Sequence, residues 1–456
     1  MSWAPQLNPA IKPKYLAIIE ALKADIQSGA VRVGDRLPPQ RALADLLGVD
    51  LTTVTRAFNE ARRLGLIDAH VGRGSFIRGE AIPETVPAVA LDLSMNSPPH
   101  PAAANLEQRI TNGIADLLRR RGGMSLLHYQ DAGGSEGDRT AAAGWLAPRM
   151  GALAPYRITV TSGAQAALYA VCAHLLQPGD CLAIPGFTYP GVKSVADRLG
   201  VYLLPLAMDE VGILPDSFEA ACKNRRPKAL YLVPTIDNPT TATLPEARRV
   251  AIVALARRHG VAIIEDDPYS PLAVAPPPAF LSLAPELTWH LATLSKCATP
   301  SLRIAYCVCP TPMDAQRIAA VLRATNLMAP PLFAALASRW SLNGALGEIT
   351  TAIRAENQAR HALAAEVLAP WPFFADPVAP HLWLPLSDGR RAGDFADHAR
   401  RLGLAIVPGG AFAAGIAPTQ AVRISLGVAS GRTHLQDALT LLADLLAQPP
   451  LSRTVV

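Results

Sequence analysis

The sequence predicts a chain in two parts. A small α+β unit of three helices and a β-hairpin occupies residues 1–79, and a large wound α/β domain occupies residues 92–450, ending in a smaller α+β segment. Three observations predict this. At 456 residues, with half of them hydrophobic and 17% charged, the chain exceeds one domain and has ample core for two. Helical apolar spacing with Gly and Pro stops fills the first eighty residues. Beyond a Pro- and Ala-rich stretch over 80–91 (EAIPETVPAVAL), read as a linker, short apolar runs alternate with longer helical ones, as parallel-sheet domains do.

In the first part, residues 15, 18, 19, 22 and 26 form a helical apolar stripe closed by Gly29. The turn GDRLPP leads to a short helix with Leu43, Leu46 and Leu47 directed inward and Gly48 as its stop. The third helix places Val54, Phe58, Ala61 and Leu64 in the core and Thr52, Arg56, Asn59 and Arg63 on the opposite face. Two helices around a tight Gly turn, the second polar and basic outside, match the helix-turn-helix plan. LIDAHVGRGSFI then alternates about a Gly-rich tip, as a hairpin wing would. Residues 1–79 carry eleven Lys and Arg against seven Asp and Glu, so this sixth of the chain holds +4 of the total +5. That excess suggests a polyanion binder.

In the second part, ITVTSG, CLAIPG, ALYLVPT, VAIIEDD, HLATLSK and IAYCVCP read as strands, with a helix from Glu246 to Arg258 stopped by Gly260. PHLWLPL, LAIVPGGAF and AVRISLG belong to the C-terminal α+β segment. Functional residues are expected at strand ends. Lys296 stands at one such end, with Ser295 before it and Arg303 seven residues on. A desolvated lysine near a second cation has a lowered pKa and can attack a carbonyl, while Ser and Arg suit a phosphate. Glu265, Asp266 and Asp267 end another strand and supply the acid, with Tyr269 following. A lysine, a phosphate clamp and an acid are what pyridoxal phosphate requires.

The motif LPPQRALADLLGV, with TTV, GLI and GRGSF at the expected spacings, resembles the winged helix of GntR-type regulators over residues 12–79. The resemblance implies DNA contacts at Arg41, Thr52, Thr53, Arg56, Gly72 and Arg73, and Leu51 stands where many members carry Arg. Residues 95–445 resemble the fold-type I, aspartate-aminotransferase-like pyridoxal phosphate proteins. There the resemblance makes Lys296 the aldimine lysine and assigns Gly163, Ala164 and Gln165 to the phosphate cup. It sets Tyr189 against the pyridine ring and Asn238 and Tyr269 at its 3′ oxygen. It puts Asp266 at the ring nitrogen, and Ser295 and Arg303 on the phosphate. Tyr129 reaches the partner subunit's phosphate, and Arg423 the α-carboxylate of a substrate or effector. Asp237 and Thr241 depart from the commoner Gln or His and Gly.

The whole chain resembles the MocR-type regulators. This implies a cytoplasmic, head-to-tail, domain-swapped homodimer that binds an operator in double-stranded DNA and senses an amine, an amino acid or pyridoxal phosphate. A working aminotransferase with an appended DNA-binding domain, and a cofactor-free dimerisation platform, are the alternatives. Six cysteines without a CxxC pair fit reduced thiols and no metal site. Neither a secretory leader nor a membrane span is expected from the sequence.

Overall fold

A computed structural model describes residues 3–5, 12–27, 30–31, 35–63, 66–70, 74–77, 91–415, 417 and 419–449. Contacts divide the chain into two units, Met1–Ala88 and Val89–Val456.

The first unit holds α1 (Lys14–Gln27), α2 (Gln40–Leu47), α3 (Leu51–Arg63) and the hairpin β1 (Ile67–His70) and β2 (Gly74–Ile77). The apolar stripes meet in one core of Ile18, Ile19, Leu22, Leu43, Val54, Phe58 and Ala61, closed by Ile67 and Ile77 of the hairpin. These two residues face each other in the antiparallel register. Leu46 departs from expectation: it is 58% exposed, and Ala44 is buried beside Leu43 instead. In a helix of only eight residues the 3.6-residue period leaves two adjacent faces open, and packing against α3 selects Leu43 and Ala44. The wing tip with Gly72 and Arg73, and Leu64 of the expected core, lie outside the described residues.

The second unit begins with β3 (Leu91–Asp92), paired in parallel with Leu404–Ala405. Leu91, expected in the linker, is therefore a strand residue of the large domain. Helices α4 (Leu106–Arg119) and α5 (Glu136–Met150) precede the alternating region. There follow β4 (Ile158–Thr161), α6 (Ala164–Leu175), β5 (Cys181–Pro185), α7 (Pro190–Leu199) and β6 (Tyr202–Leu206). After the small hairpin β7 (Met208–Asp209) and β8 (Gly212–Ile213) come α8 (Pro215–Arg225), β9 (Ala229–Leu232), α9 (Glu246–His259) and β10 (Ala262–Asp267). The short α10 (Phe280–Leu283) leads to β11 (Thr288–Thr293) and β12 (Ala305–Val308). Seven strands form one sheet in the order β4-β12-β11-β10-β9-β5-β6. Only β12 runs against its neighbours. The central strands are buried along their length except at Ala262, as a sheet covered on both faces requires. α9 ends at Gly260 in the left-handed region.

Helices α11 (Pro312–Thr325), α12 (Pro331–Leu342) and α13 (Ala345–Val367) lead to a second core. The elements around it are β13 (Phe374–Ala375), β14 (His381–Pro385), α14 (Ala392–Arg401), β15 (Leu404–Ala405), β16 (Val407–Pro408), β17 (Ala421–Ser425) and α15 (Arg432–Ala447), of which β14, α14, β15, β17 and α15 fill the core. Strands β13, β14, β17 and β16 form an antiparallel sheet in that order. Among the described residues no helix is long and apolar enough to cross a membrane, and all six cysteines are free.

Candidate functional site

A cavity of about 410 Å³ lies at the C-terminal ends of the parallel strands, where wound sheets bind ligands. Its wall includes Ala164, Gln165, Tyr189, Asn238, Asp266, Tyr269, Ser295, Lys296, Arg303 and Arg423. These expected residues come from widely separated stretches of chain, and the fold brings them together.

Alternation along β10 settles the choice among its three acids. Asp266 points into the cavity, whereas Glu265 and Asp267 fall on the opposite face. There Glu265 accepts from the backbone N–H of Phe280 and Leu281 and pairs with His290 Nδ1 at 2.8 Å. Asp267 pairs with Arg149 at 2.6 Å. On the cavity side, Tyr231 donates its hydroxyl to Asp266 Oδ2 at 2.8 Å, while Oδ1 is buried without a partner. Burial raises the Asp266 carboxyl to about 6 against the bond from Tyr231.

Lys296 follows β11, and its ammonium donates to the main-chain oxygen of Asn96. Burial, then the neighbouring charge of Arg423, lowers it to about 8, with Asp266 acting in the other sense. Arg423 on β17 donates to Asn238 Oδ1 at 3.1 Å and to the Ser94 carbonyl, and its guanidinium lies 5.0 Å from the Phe412 ring centre. Fully buried Arg249 donates to the carbonyls of Pro234, Leu244 and Pro278, which pins the loop carrying Asn238.

At the head of α6, Gly163 has φ +90°, and an added Cβ would lie 3.0 Å from Arg303 Nη2. Arg303 in turn donates to the Ser162 carbonyl at 3.0 Å. The helix N-terminus and this guanidinium face the same space, a favourable arrangement for an anion. A Cβ on Gly191 would lie 2.2 Å from Cε1 of Tyr189, so the missing side chain sets where that ring lies. Thr241 and Arg303 take φ +63° and +54° without being glycine. Such conformations persist where surroundings over-determine them.

Tyr129 is 81% exposed and does not line this cavity. In the first unit Arg41, Thr52 and Arg56 are exposed and Thr53 is half-buried. The Thr52 hydroxyl donates to Asp50, and Arg56 stacks on the Tyr15 ring at 4.3 Å.

Residues 14–77 match the gntR family of bacterial regulatory proteins, and residues 89–439 match aminotransferase class I and II. The chain is 30% identical over 453 residues to the HTH-type transcriptional regulator YdeF of Bacillus subtilis. That alignment covers 98% of this chain and 97% of that protein. The chain belongs to the MocR-type transcriptional regulators. Its large domain belongs to the class I and II aminotransferases. The HTH-type transcriptional regulator TauR of Rhodobacter capsulatus is likewise 30% identical, over 67% of this chain and 69% of that protein. Among solved structures, the α-aminoadipate aminotransferase LysN of Thermus thermophilus superposes with a TM-score of 0.72 at 23% identity. It covers 81% of this chain and 95% of that one. At that identity the likeness shows the fold.

The regulator's cofactor is pyridoxal phosphate. The residues present fit that group. Asp266 Oδ1 is a buried acceptor with no partner, Gly163 gives an anion room beside Arg303, and Lys296 stands in the same wall. Sequence reasoning missed Tyr231, Asn96, His381 and Phe412. Tyr231 sits within ALYLVPT on β9, beside β10. Period-two alternation along both strands was the signal that it shares a face with Asp266.

Proposed function

We propose that this regulator binds operator DNA through its N-terminal unit and changes its DNA affinity when an amine or amino acid meets pyridoxal phosphate in the large domain. One observation carries the reading: Lys296, Asp266 and Arg423 converge on one cavity in a chain that also carries a gntR-type module. The cofactor supplies an electrophilic aldehyde and an electron-withdrawing ring. Lys296 would hold it, the Asp266 carboxylate would pair with its ring nitrogen, Tyr189 would lie against the ring, and Asn238 and Tyr269 would bond its phenolic oxygen. Gly163, Ala164, Gln165, Ser295 and Arg303 would take the phosphate, and Tyr129 would serve the phosphate of a second copy in a homodimer. Arg423 gives an α-carboxylate a planar, bidentate partner. LysN, solved with N-(5′-phosphopyridoxyl)-L-leucine, supports an amino acid beside the cofactor in this fold.

On the DNA side, Arg41, Thr52, Thr53, Arg56, Gly72 and Arg73 contact the operator. Arg56 is held by Tyr15, and Leu51 weakens readout at its position. A ligand shifts the DNA equilibrium only through differential affinity for two arrangements.

The test is to map genomic binding sites, then measure operator affinity with pyridoxal phosphate and a panel of amino acids and amines. Lys296→Ala and Arg423→Ala are measured alongside wild type. Lys296→Ala is expected to bind DNA without responding, and Arg423→Ala to lose the response to amino acids. Wild-type responses in both variants overturn the sensor reading. Multiple turnover with an amino donor and a 2-oxo acid, without operator binding, favours an enzyme.

A further inference from the structure

Asn96 lies just after β3 and lines the cavity. Its Nδ2 lies 2.9 Å from the Tyr269 hydroxyl oxygen and 3.2 Å from His381 Nδ1. The orientation of this amide follows from a group that has no choice. His381 Nε2 lies 3.1 Å from the carbonyl oxygen of Asp237, which can only accept. So Nε2 carries the proton. Burial and the charge of Arg423 keep the ring neutral, and Nδ1 is left as an acceptor. The nitrogen of Asn96, not its oxygen, must face it.

Two consequences follow. Tyr269 receives a hydrogen from Asn96, so its own hydroxyl hydrogen remains to be donated within the cavity that it lines. Asn96 Oδ1 is turned the other way, buried and unpartnered among the described residues. The main-chain oxygen of the same residue accepts from the ammonium of Lys296. This stretch is held closely from behind: a Cβ on Gly427 would lie 2.0 Å from the Ser97 carbonyl oxygen.

We propose that Asn96 is a positioning and specificity residue. Its amide nitrogen fixes Tyr269 as a donor to the cofactor's phenolic oxygen, and Oδ1 accepts from the ligand's amino group while Arg423 takes the carboxylate. The inference rests on the cofactor and ligand reading given above.

The test uses the full-length apoprotein, pyridoxal phosphate, and two adducts that carry cofactor and amine together: N-(5′-phosphopyridoxyl)-L-alanine and N-(5′-phosphopyridoxyl)ethylamine. Calorimetry gives adduct affinities, and absorption spectra report the phenolic oxygen of bound pyridoxal phosphate. Asn96→Ala is expected to weaken both adducts by about tenfold and to shift the spectrum, because acceptor and donor are both lost. Asn96→Asp keeps an acceptor but cannot donate to both Tyr269 and His381, so its spectrum shifts while the adducts weaken less. Arg423→Gln is expected to lose only the preference for the alanine adduct. Wild-type spectrum and affinities in Asn96→Ala overturn the role of Asn96 alone, provided that wild type binds and Arg423→Gln discriminates. A wild-type protein that binds neither adduct overturns the site reading and this inference together.

Discussion

Lys296 must be neutral to attack an aldehyde, and the structure sets how much of it is. Burial, assisted by Arg423, brings its pKa from the ordinary 10.5 to about 8. At pH 7 that leaves roughly one lysine in ten neutral, about 300-fold more than for an unperturbed lysine. The sign is that of a base with a depressed pKa: attachment of pyridoxal phosphate should accelerate as pH rises and level off above about 8, not continue toward 10.5. Arg423→Gln removes the second cause of the depression while leaving the burial. The midpoint should move upward, and attachment at pH 7 should slow by roughly three- to tenfold, half to one pKa unit. Stopped-flow absorbance of apoprotein mixed with pyridoxal phosphate, from pH 6 to 9.5, reads both quantities. A rate still climbing at pH 9.5 in wild type, or an unmoved midpoint in Arg423→Gln, refutes the reasoning.

Other expected outcomes follow from single contacts. Tyr231→Phe deprives Asp266 of its buried donor and should raise the apparent Kd for pyridoxal phosphate about tenfold; spectroscopic titration checks this, and an unchanged Kd counts against Asp266 as the ring-nitrogen partner. Burial raises Asp237 from 3.8 to about 7, so the native state holds the proton more tightly and loses stability as pH rises through that window. Asp237→Asn should therefore raise Tm at pH 8 and change it little at pH 4, and a Tm difference independent of pH contradicts the assignment. Gly191→Ala should displace the Tyr189 ring and change the bound cofactor's absorption, with little effect on DNA binding. Arg41→Ala should weaken operator binding by about 1–3 kcal/mol and reduce its salt dependence in electrophoretic titrations.

Much of this architecture is written locally. The helices of the first unit follow from apolar spacing, and α2 stops at Gly48 as the sequence suggests. The six strand runs of the large domain became β4, β5, β9, β10, β11 and β12, because apolar stretches with polar ends have few other ways to bury themselves. Lys296 and Asp266 were legible because charged groups at the ends of apolar strands are conspicuous, whereas Arg423, in the middle of β17, was marked only by the family resemblance. β6 was not among the strands read. Its run YLLPL is apolar, but Pro205 within it argues against a strand anywhere except at a sheet edge, which is where β6 lies.

What the sequence alone determined is the composition of each element and which residue types end it. Tertiary structure decided which of those ends meet. Asp266 and Asp267 are neighbours in sequence, yet the pleat sends one to the cavity and the other to Arg149. Leu46 and Leu43 look alike in a short helix until α3 covers only one of them. Asn96 carries no local mark at all. Its role depends on a proton position set by the carbonyl of Asp237 through His381, residues separated from it by more than a hundred positions. Hydrogen-bond direction is a property of closed networks, and such networks exist only once the chain has folded.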